Sequence, residues 1–189
     1  MKKLLLHSCC APCSSAVLER LGDAFHITIY YYNPNIDTPI EFMRRAEELK
    51  KLEQVNPKNG FDIVVEDYKP VEYDSAVMGL EDLGEGSQRC YECYKLRMRK
   101  TAEYAKANGY DFFTTTLSVS PYKKSAWIHE IGRGLEGEFG VPYLDEDFKK
   151  HDGYKRSIEL SKKLDLYRQN YCGCKYSKAE SATRHKTMI

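Results

Sequence analysis

Short apolar runs alternate with stretches of helical spacing along this chain, and no other feature restricts its fold as much. Residues 3–8 and 25–32 read as strands, the second rich in β-branched and aromatic side chains. Residues 61–65 and 111–117 read the same way, and 141–144 as a shorter fifth strand. Helical stretches lie between them. The first begins at residue 12 or 15 and stops at Gly22, with Ser14 or Ser15 as cap for the later start. The second is announced by Thr38 as cap, Pro39 in the first turn and Glu41 completing a capping box. Phe42, Ala46, Leu49 and Leu52 give its apolar face, and Asn56-Pro57 and Asn59-Gly60 end it. Further helices are expected over 89–108, about 124–131 and about 154–167, while 73–87 gives only a weak reading, with Gly84 and Gly86 suggesting a loop. Alternation of this kind predicts an α/β fold with a Rossmann-like, doubly wound parallel sheet. The length of 189 residues suits one domain over 1–189, with 149–189 as a basic, helical C-terminal part.

Seven cysteines sit on that frame in three groups. Cys9, Cys10 and Cys13 follow the first strand, Cys90 and Cys93 lie in the long middle helix, and Cys172 and Cys174 lie near the end. An odd number without a signal-peptide pattern argues against a secreted disulfide scaffold. A strand-to-helix turn offers unpaired N–H groups and partial positive charge, both of which favour thiolate. Three residues of separation on a helix put Cys90 and Cys93 on one face. Neighbouring thiolates repel unless a cation bridges them. The Cys-Cys dipeptide and the C-x-x-C pair together supply four thiolates, which fit structural zinc or an iron–sulfur cluster. Spacing alone leaves that choice open. The Cys172-Gly173-Cys174 pair is able to close as a small strained disulfide, and strained disulfides are labile and often redox-active. A second pair of metal ligands, or two inert thiols, is the plainer alternative. Cys13 reads as an extra ligand or, more commonly for a free cysteine, as a buried thiol.

The net charge of +1 conceals an asymmetry. Residues 149–189 carry 11 Lys and Arg against 4 Asp and Glu, and 89–133 carry 9 against 4. Residues 41–88 are acidic, with 12 acidic against 6 basic groups. Basic segments around the middle and last cysteines suit a polyanion such as nucleic acid, although solvated helix faces give the same pattern. Fifteen tyrosines add possible stacking groups, most of them better read as core. No apolar run approaches the ~20 residues of a membrane span, and the chain reads as soluble and cytoplasmic, with no membrane partner.

Several local patterns are weaker than they look. Gly132-Arg133-Gly134-Leu135-Glu136-Gly137 matches the dinucleotide-binding fingerprint, but it follows a helical pattern rather than a strand, so the phosphate geometry fails. His7 is next to the first cysteines, yet a histidine ending a buried strand is more often a satisfied core residue. His129, His151 and His185 show no ligand spacing, and Asp145-Glu146-Asp147 reads as a solvated acidic turn. Arg97 falls one turn after Cys93, where it either offsets sulfur charge, meets a phosphate or is an ordinary surface arginine. Trp127 reads as packing.

One series of motifs, in order, points to a family. Leu6-His7-Ser8-Cys9-Cys10-Ala11-Pro12-Cys13, Tyr32-Asn33-Pro34-Asn35-Ile36, Arg89-Cys90 with Cys93, Thr115-Thr116-Leu117-Ser118 through Pro121, and Tyr167-Arg168-Gln169-Asn170-Tyr171-Cys172-Gly173-Cys174 together resemble the QueH-type epoxyqueuosine reductases. The likeness covers about residues 4 to 175, with no departure at the cysteines. It implies the last step of queuosine formation, a two-electron deoxygenation of the epoxide of epoxyqueuosine at the wobble position of tRNAs with G-U-N anticodons. It implies an oxidoreductase that works without cobalamin. By position, Cys9, Cys10, Cys90 and Cys93 would be ligands of a [4Fe-4S] cluster, and Cys172 and Cys174 a redox-active pair. The implied fold is similar to the nucleotide α-hydrolase (HUP) group, whose loop after strand one usually holds phosphate and here carries cysteines.

Such a deoxygenation needs electrons that ordinary side chains do not supply, hence a redox centre. An additional iron beside the cluster is a further candidate, and the external electron donor is not identifiable from the residues. His7 and Tyr91 are the candidate proton donors. Two rivals remain: an ATP-dependent tRNA-modifying enzyme of the same fold group, and a zinc-stabilised RNA-binding module without catalysis.

Overall fold

Leu4, Leu5, Leu6, Ile27, Ile29, Tyr30 and Tyr31 are all fully buried, which requires strands covered on both faces. The computed structural model of the protein, which describes residues 1–54 and 60–186, meets that requirement with a four-stranded sheet. Its strands are β1 (Lys2–His7), β2 (Phe25–Tyr31), β3 (Asp62–Val65) and β4 (Phe112–Thr115), in the order β3-β2-β1-β4. Every pairing is parallel, with Leu6 opposite Ile29 on one side and Thr114 on the other.

The helices are α1 (Ala11–Leu21), α2 (Pro39–Glu48), α3 (Pro70–Ala76), α4 (Gln88–Ala107), α5 (Ser125–Phe139), α6 (Gly153–Lys163) and α7 (Lys175–Lys186). Alternate strand residues divide between the two faces. Leu4, Leu6, Ile27 and Ile29 pack with Val17 and Leu18 of α1 and Phe42 of α2. Leu5, Tyr30 and Phe113 pack with Tyr94, Met98 and Ala102 of α4 and Ile128, Ile131 and Leu135 of α5. The result is a three-layer α/β sandwich of the doubly wound kind, as the alternation predicts.

Thr38 caps α2 as expected, its hydroxyl accepting from the Glu41 N–H at 3.2 Å. The Glu41 carboxylate, however, turns to Arg45 and Tyr167. The expected stop at Asn56, Pro57 and Asn59 lies outside the described residues; Leu49–Gln54 tightens into a 3-10 helix after α2.

Four expectations are corrected. The fifth strand over 141–144 is only an isolated bridge between Tyr143 and Phe113, because Pro142 has no N–H to continue a ladder. The fourth strand stops at Thr115, where the Thr115 hydroxyl accepts from the Leu117 N–H and starts a 3-10 turn over Thr116–Val119. The last predicted helix ends at Lys163, and Asp165 at φ +49° turns the chain away, so Tyr167 and Tyr171 are not helical. Conversely, α5 runs on to Phe139 and is closed by Gly140 at φ +71°. The Gly132–Gly137 fingerprint therefore lies wholly inside a helix. The structure also adds α3, which starts at Pro70, and α7, neither of which was expected. Among the described residues no helix is long and apolar enough to cross a membrane.

Candidate active site

The chain leaves β1 toward α1 on one face and β4 toward α5 on the other. That divergence between adjacent strands opens a crevice at their carboxyl ends, the usual ligand position in such sheets. Cys9 and Cys10 emerge from β1 into it. Cys10 is the extended N-cap residue of α1 and Pro12 occupies the first turn, so Cys13 follows on that turn. The three sulfurs lie within 4.8 Å of one another, with 3.8 Å between those of Cys9 and Cys10. From the β4 side, the Thr116 hydroxyl accepts from the Cys9 N–H at 3.4 Å.

These sulfurs compete for protons, and Cys9 is the one most favoured as thiolate. Hydrogen bonds from the Cys10 and Cys13 thiols hold Cys9 well below its usual value. Cys10 is drawn down by Cys13 but more strongly pushed up by its bond to Cys9 and by burial, to about 11. Cys13 rises because its bonds to Cys10 and Cys9 consume its proton. Ionising all three requires a cation. The donors are soft, two of them buried and Cys13 half-buried, without a carboxylate among them, which suits a thiophilic metal or a cluster. This group could hold a metal ion, and it includes Cys13, which the sequence left unassigned.

Cys90 and Cys93 share α4. The Gly86 N–H points at the Cys90 sulfur at 3.3 Å, and Cys93 accepts from Arg97 Nη1 at 3.6 Å. Burial pushes both thiols up, Cys93 to about 12. Arg97 itself is 1% exposed. Its Nη2 donates to Asn33 Oδ1 at 2.9 Å, and Asn33 in turn donates to the Ser8 carbonyl at 2.8 Å. The guanidinium thus ties α4 to the cysteine turn, and its field reaches Cys93, Cys9 and Cys172. Arg20, Arg45, Arg89, Arg99, Arg133 and Arg156 all pair with carboxylates, whereas Arg97 has no carboxylate partner among the described residues. A buried cation without a counter-ion is costly, so the neighbouring sulfurs are its natural partners.

The Cys-Gly-Cys segment is strapped from the β2–α2 connection. Arg45 Nη1 donates to the Cys172 carbonyl at 3.0 Å and the Asp37 N–H to the Gly173 carbonyl at 2.9 Å. Ser177 accepts from the Cys172 N–H and its own N–H reaches the Cys174 sulfur. Gly173 has φ +134°, and a Cβ there would come to 3.0 Å from Arg45 Nη1. Both cysteines are free thiols. Cys174 is buried with Cys93 and Tyr73, while Cys172 is half-buried and faces a cleft.

That cleft has a volume of about 430 Å³, in the range of ordinary ligand sites. Cys9, Cys10, Cys13 and Cys172 line it, with Lys123 and Arg168. Cys90 and Cys93 are not part of its lining. His7 is fully buried; its Nε2 donates to the Tyr32 carbonyl and its Nδ1 accepts from Thr115. Burial, helped by Arg97, lowers its pKa to about 3, so it is a neutral, satisfied core residue. Tyr91 donates to Glu130 and packs edge-on against Trp127, away from the cleft lining. The acidic turn is paired rather than solvated: Asp145 with Arg133, Glu146 with Arg20. The sequence gave no local signal for Lys123 or Arg45, whose roles appear only when distant segments meet.

A family model described as epoxyqueuosine reductase QueH matches residues 4–180. Epoxyqueuosine reductase QueH of Streptococcus pyogenes serotype M1 is 41% identical over 177 residues, covering 92% of this chain and 69% of that protein. The QueH of Staphylococcus epidermidis is 38% identical, covering 93% and 76%. The Thermotoga maritima QueH is 36% identical over 193 residues, covering 98% and 95%. Among solved structures, a predicted subunit of a tRNA methyltransferase from Methanocaldococcus jannaschii aligns with a TM-score of 0.51 at 14% identity, over 86% of this chain and 76% of that one. That likeness is one of fold.

Proposed function

The chain belongs to the epoxyqueuosine reductase QueH family, and from that premise we propose how it reduces epoxyqueuosine to queuosine in the cleft beyond β1 and β4. The observation that carries the reading is that Cys172 lines the same cleft as Cys9, Cys10 and Cys13. Converting an epoxide to an alkene consumes two electrons and two protons and releases water. Oxidation of the Cys172 and Cys174 dithiol to a disulfide supplies two of each, so the step balances, and an external reductant must then restore the dithiol. With electrons available from a thiol pair of which Cys172 faces the cleft, we read the reaction as cobalamin-independent.

Cys9, Cys10, Cys90 and Cys93 would hold a [4Fe-4S] cluster, with Cys13 at hand for an additional iron. Such a cluster, when bound, supplies one-electron transfer and Lewis acidity. The chain's own residues do the rest. Arg97 balances thiolate charge, Arg45 and Asp37 aim Cys172 at the cleft, and Lys123 sets a positive charge in its wall. The substrate is read as a tRNA with a G-U-N anticodon, its wobble base drawn out of the stack to reach the sulfurs. A tRNA substrate implies action in the cytoplasm.

The test is an anaerobic assay on tRNA carrying epoxyqueuosine, with iron and sulfide counted per chain. A brown protein with about four iron atoms per chain and turnover to queuosine is expected. Cys172→Ser should end multiple turnover. A colourless, zinc-loaded protein that stays inactive after anaerobic iron–sulfide reconstitution would support the zinc-stabilised RNA-binding module instead.

A further inference from the structure

The cleft wall extends beyond the sulfurs. Its lining continues from the cysteines to Ser120, Tyr122, Lys123, Tyr154 and Arg168. Arg168 has no carboxylate partner among the described residues. Its guanidinium lies over the Tyr154 ring at 5.3 Å, and Nη1 leans on the Ser161 hydroxyl at 3.4 Å. Lys123 likewise has no carboxylate partner there, and its backbone carbonyl is held by Lys149. Six arginines elsewhere are paired with acids, so the guanidinium of Arg168 differs from most of the arginines in standing in the cleft wall without one.

The aromatic rings depart in the same place. Among the described residues, Tyr122 is the one aromatic side chain that is mostly exposed, at 68%. Its backbone is fixed by the N–H bond to Ser120 Oγ at 3.3 Å, so the ring stands on a defined turn at the cleft mouth. A ring left exposed at a cleft mouth is available as a stacking platform, since every base has a π-face to offer it. Glu85 is the one carboxylate in the lining. Cations beside an exposed ring are the donor set that recognises a nucleotide strand: charge for the phosphates, rings for unstacked bases.

We infer that Tyr122, Lys123, Tyr154 and Arg168 form the binding site for an unstacked RNA segment, with Arg168 and Lys123 on phosphates flanking the nucleotide in the cleft and Tyr122 stacking its neighbour. This rests on the reductase reading for the identity of the RNA. Tyr154 acts as a positioning residue, holding the Arg168 guanidinium flat against the cleft wall.

The experiment is a binding measurement, independent of turnover. A fluorescein-labelled anticodon stem-loop with guanosine at the wobble position is titrated with protein from about 50 to 200 mM salt, the range over which counterion release is read. Lys123→Ala and Arg168→Ala should each weaken binding and flatten the logarithmic salt slope by about 0.7, the value for one single-strand phosphate contact. Arg168→Lys should keep the slope. Tyr122→Ala should weaken binding about tenfold with the slope unchanged, and Tyr122→Phe should restore it. Lys106→Ala, on α4 away from the cleft, should bind like wild type. Iron content and the oxidation state of Cys172 and Cys174 are measured in the same variants and should not move in Tyr122→Ala and Arg168→Ala.

Wild-type affinity and slope in all three alanine variants would overturn the inference. So would a wild-type protein that reduces epoxyqueuosine tRNA without binding the loop, and that result leaves the reductase reading standing. A protein that binds the loop through these side chains yet never reduces the modified tRNA supports the inference and overturns that reading.

Discussion

Replacing Arg97 with Met tests whether the sulfurs act together as one anionic site. Arg97 is buried, sits 3.6 Å from the Cys93 sulfur, and has an amide rather than a carboxylate as its other partner. At about 4 Å and an effective dielectric of about 20, one unit charge is worth about 4 kcal/mol. Four thiolates around a divalent metal carry net negative charge, so the loaded site should lose about 2–4 kcal/mol on Arg97→Met. That is about 30- to 1,000-fold in metal affinity. The metal-free protein should behave differently. There the thiols are mostly protonated and Arg97 is an uncompensated buried charge. Removing it relieves that burial but leaves Asn33 Oδ1 without its donor, a loss of about 1–3 kcal/mol, so the net effect should be small. The assay is anaerobic titration with Co(II), followed by thiolate charge-transfer absorbance, beside urea denaturation of the metal-free and loaded forms. Arg97→Lys should recover part of the affinity. Unchanged cobalt affinity in Arg97→Met, or equal destabilisation of both forms, would refute the counter-ion argument.

Three further outcomes follow from the geometry. Gly173→Ala should destabilise the protein by about 1–3 kcal/mol in urea denaturation, because it combines a φ of +134° with a Cβ pressed on Arg45 Nη1. Burial raises the Asp37 carboxyl, but bonds from Lys178 and Tyr171 outweigh it and hold the group below its usual value of 3.8. Its stabilising effect is therefore complete above about pH 4 and lost as pH falls through the native value; Asp37→Asn should lower the denaturation midpoint at pH 7 and show less of that acid loss. Gly132→Ala should be strongly destabilising, since its Cβ would enter the Tyr143 ring, whereas Gly134→Ala and Gly137→Ala point into open space. Those two should raise the thermal midpoint by the helix preference of alanine, up to about 1 kcal/mol each, an outcome impossible for a phosphate-cradling loop.

What could be read in the sequence was what local rules govern. The strand runs were apolar because both sheet faces are covered, and Thr38-Pro39 marked α2 because a cap and a fixed φ act within one turn. Cys9 and Cys10 were placed at a strand end, and the topology made that end a crevice. The misses share a different cause. Residues 141–144 had strand composition, but a ladder needs the N–H that Pro142 lacks. The pattern of Leu160, Leu164, Tyr167 and Tyr171 continued past a helix that Asp165 ends; from the loop beyond it, Tyr167 and Tyr171 bond to Glu41 and Asp37 instead of packing in the core. Cys13 could not be assigned from spacing, since one helical turn of rotation decides whether its sulfur meets Cys9 or the core. Lys123 and Arg168 lie 45 residues apart and acquire meaning only where the loop after α6 and the segment before α5 meet the same cleft.

The placement of the cysteines follows from the same topology. Where β1 and β4 part, backbone N–H groups of the first turn of α1 are left without partners, and in sheets of this kind an anion commonly fills that position. Here the side chains that begin the helix are themselves the anions once ionised, and Cys9 already carries the depressed pKa that this requires. Arg97 approaches the same sulfurs from α4 through Asn33 and Ser8. Thiolates without a cation and a guanidinium without an anion are each costly when buried; brought together they still cannot ionise Cys10, Cys13 and Cys93, whose protons are held tightly. Arg97 and Lys123 together bring too little charge to ionise that many sulfurs. The affinity of this group for a metal ion should rise with pH as the remaining thiols release their protons, by up to tenfold per pH unit for each proton displaced.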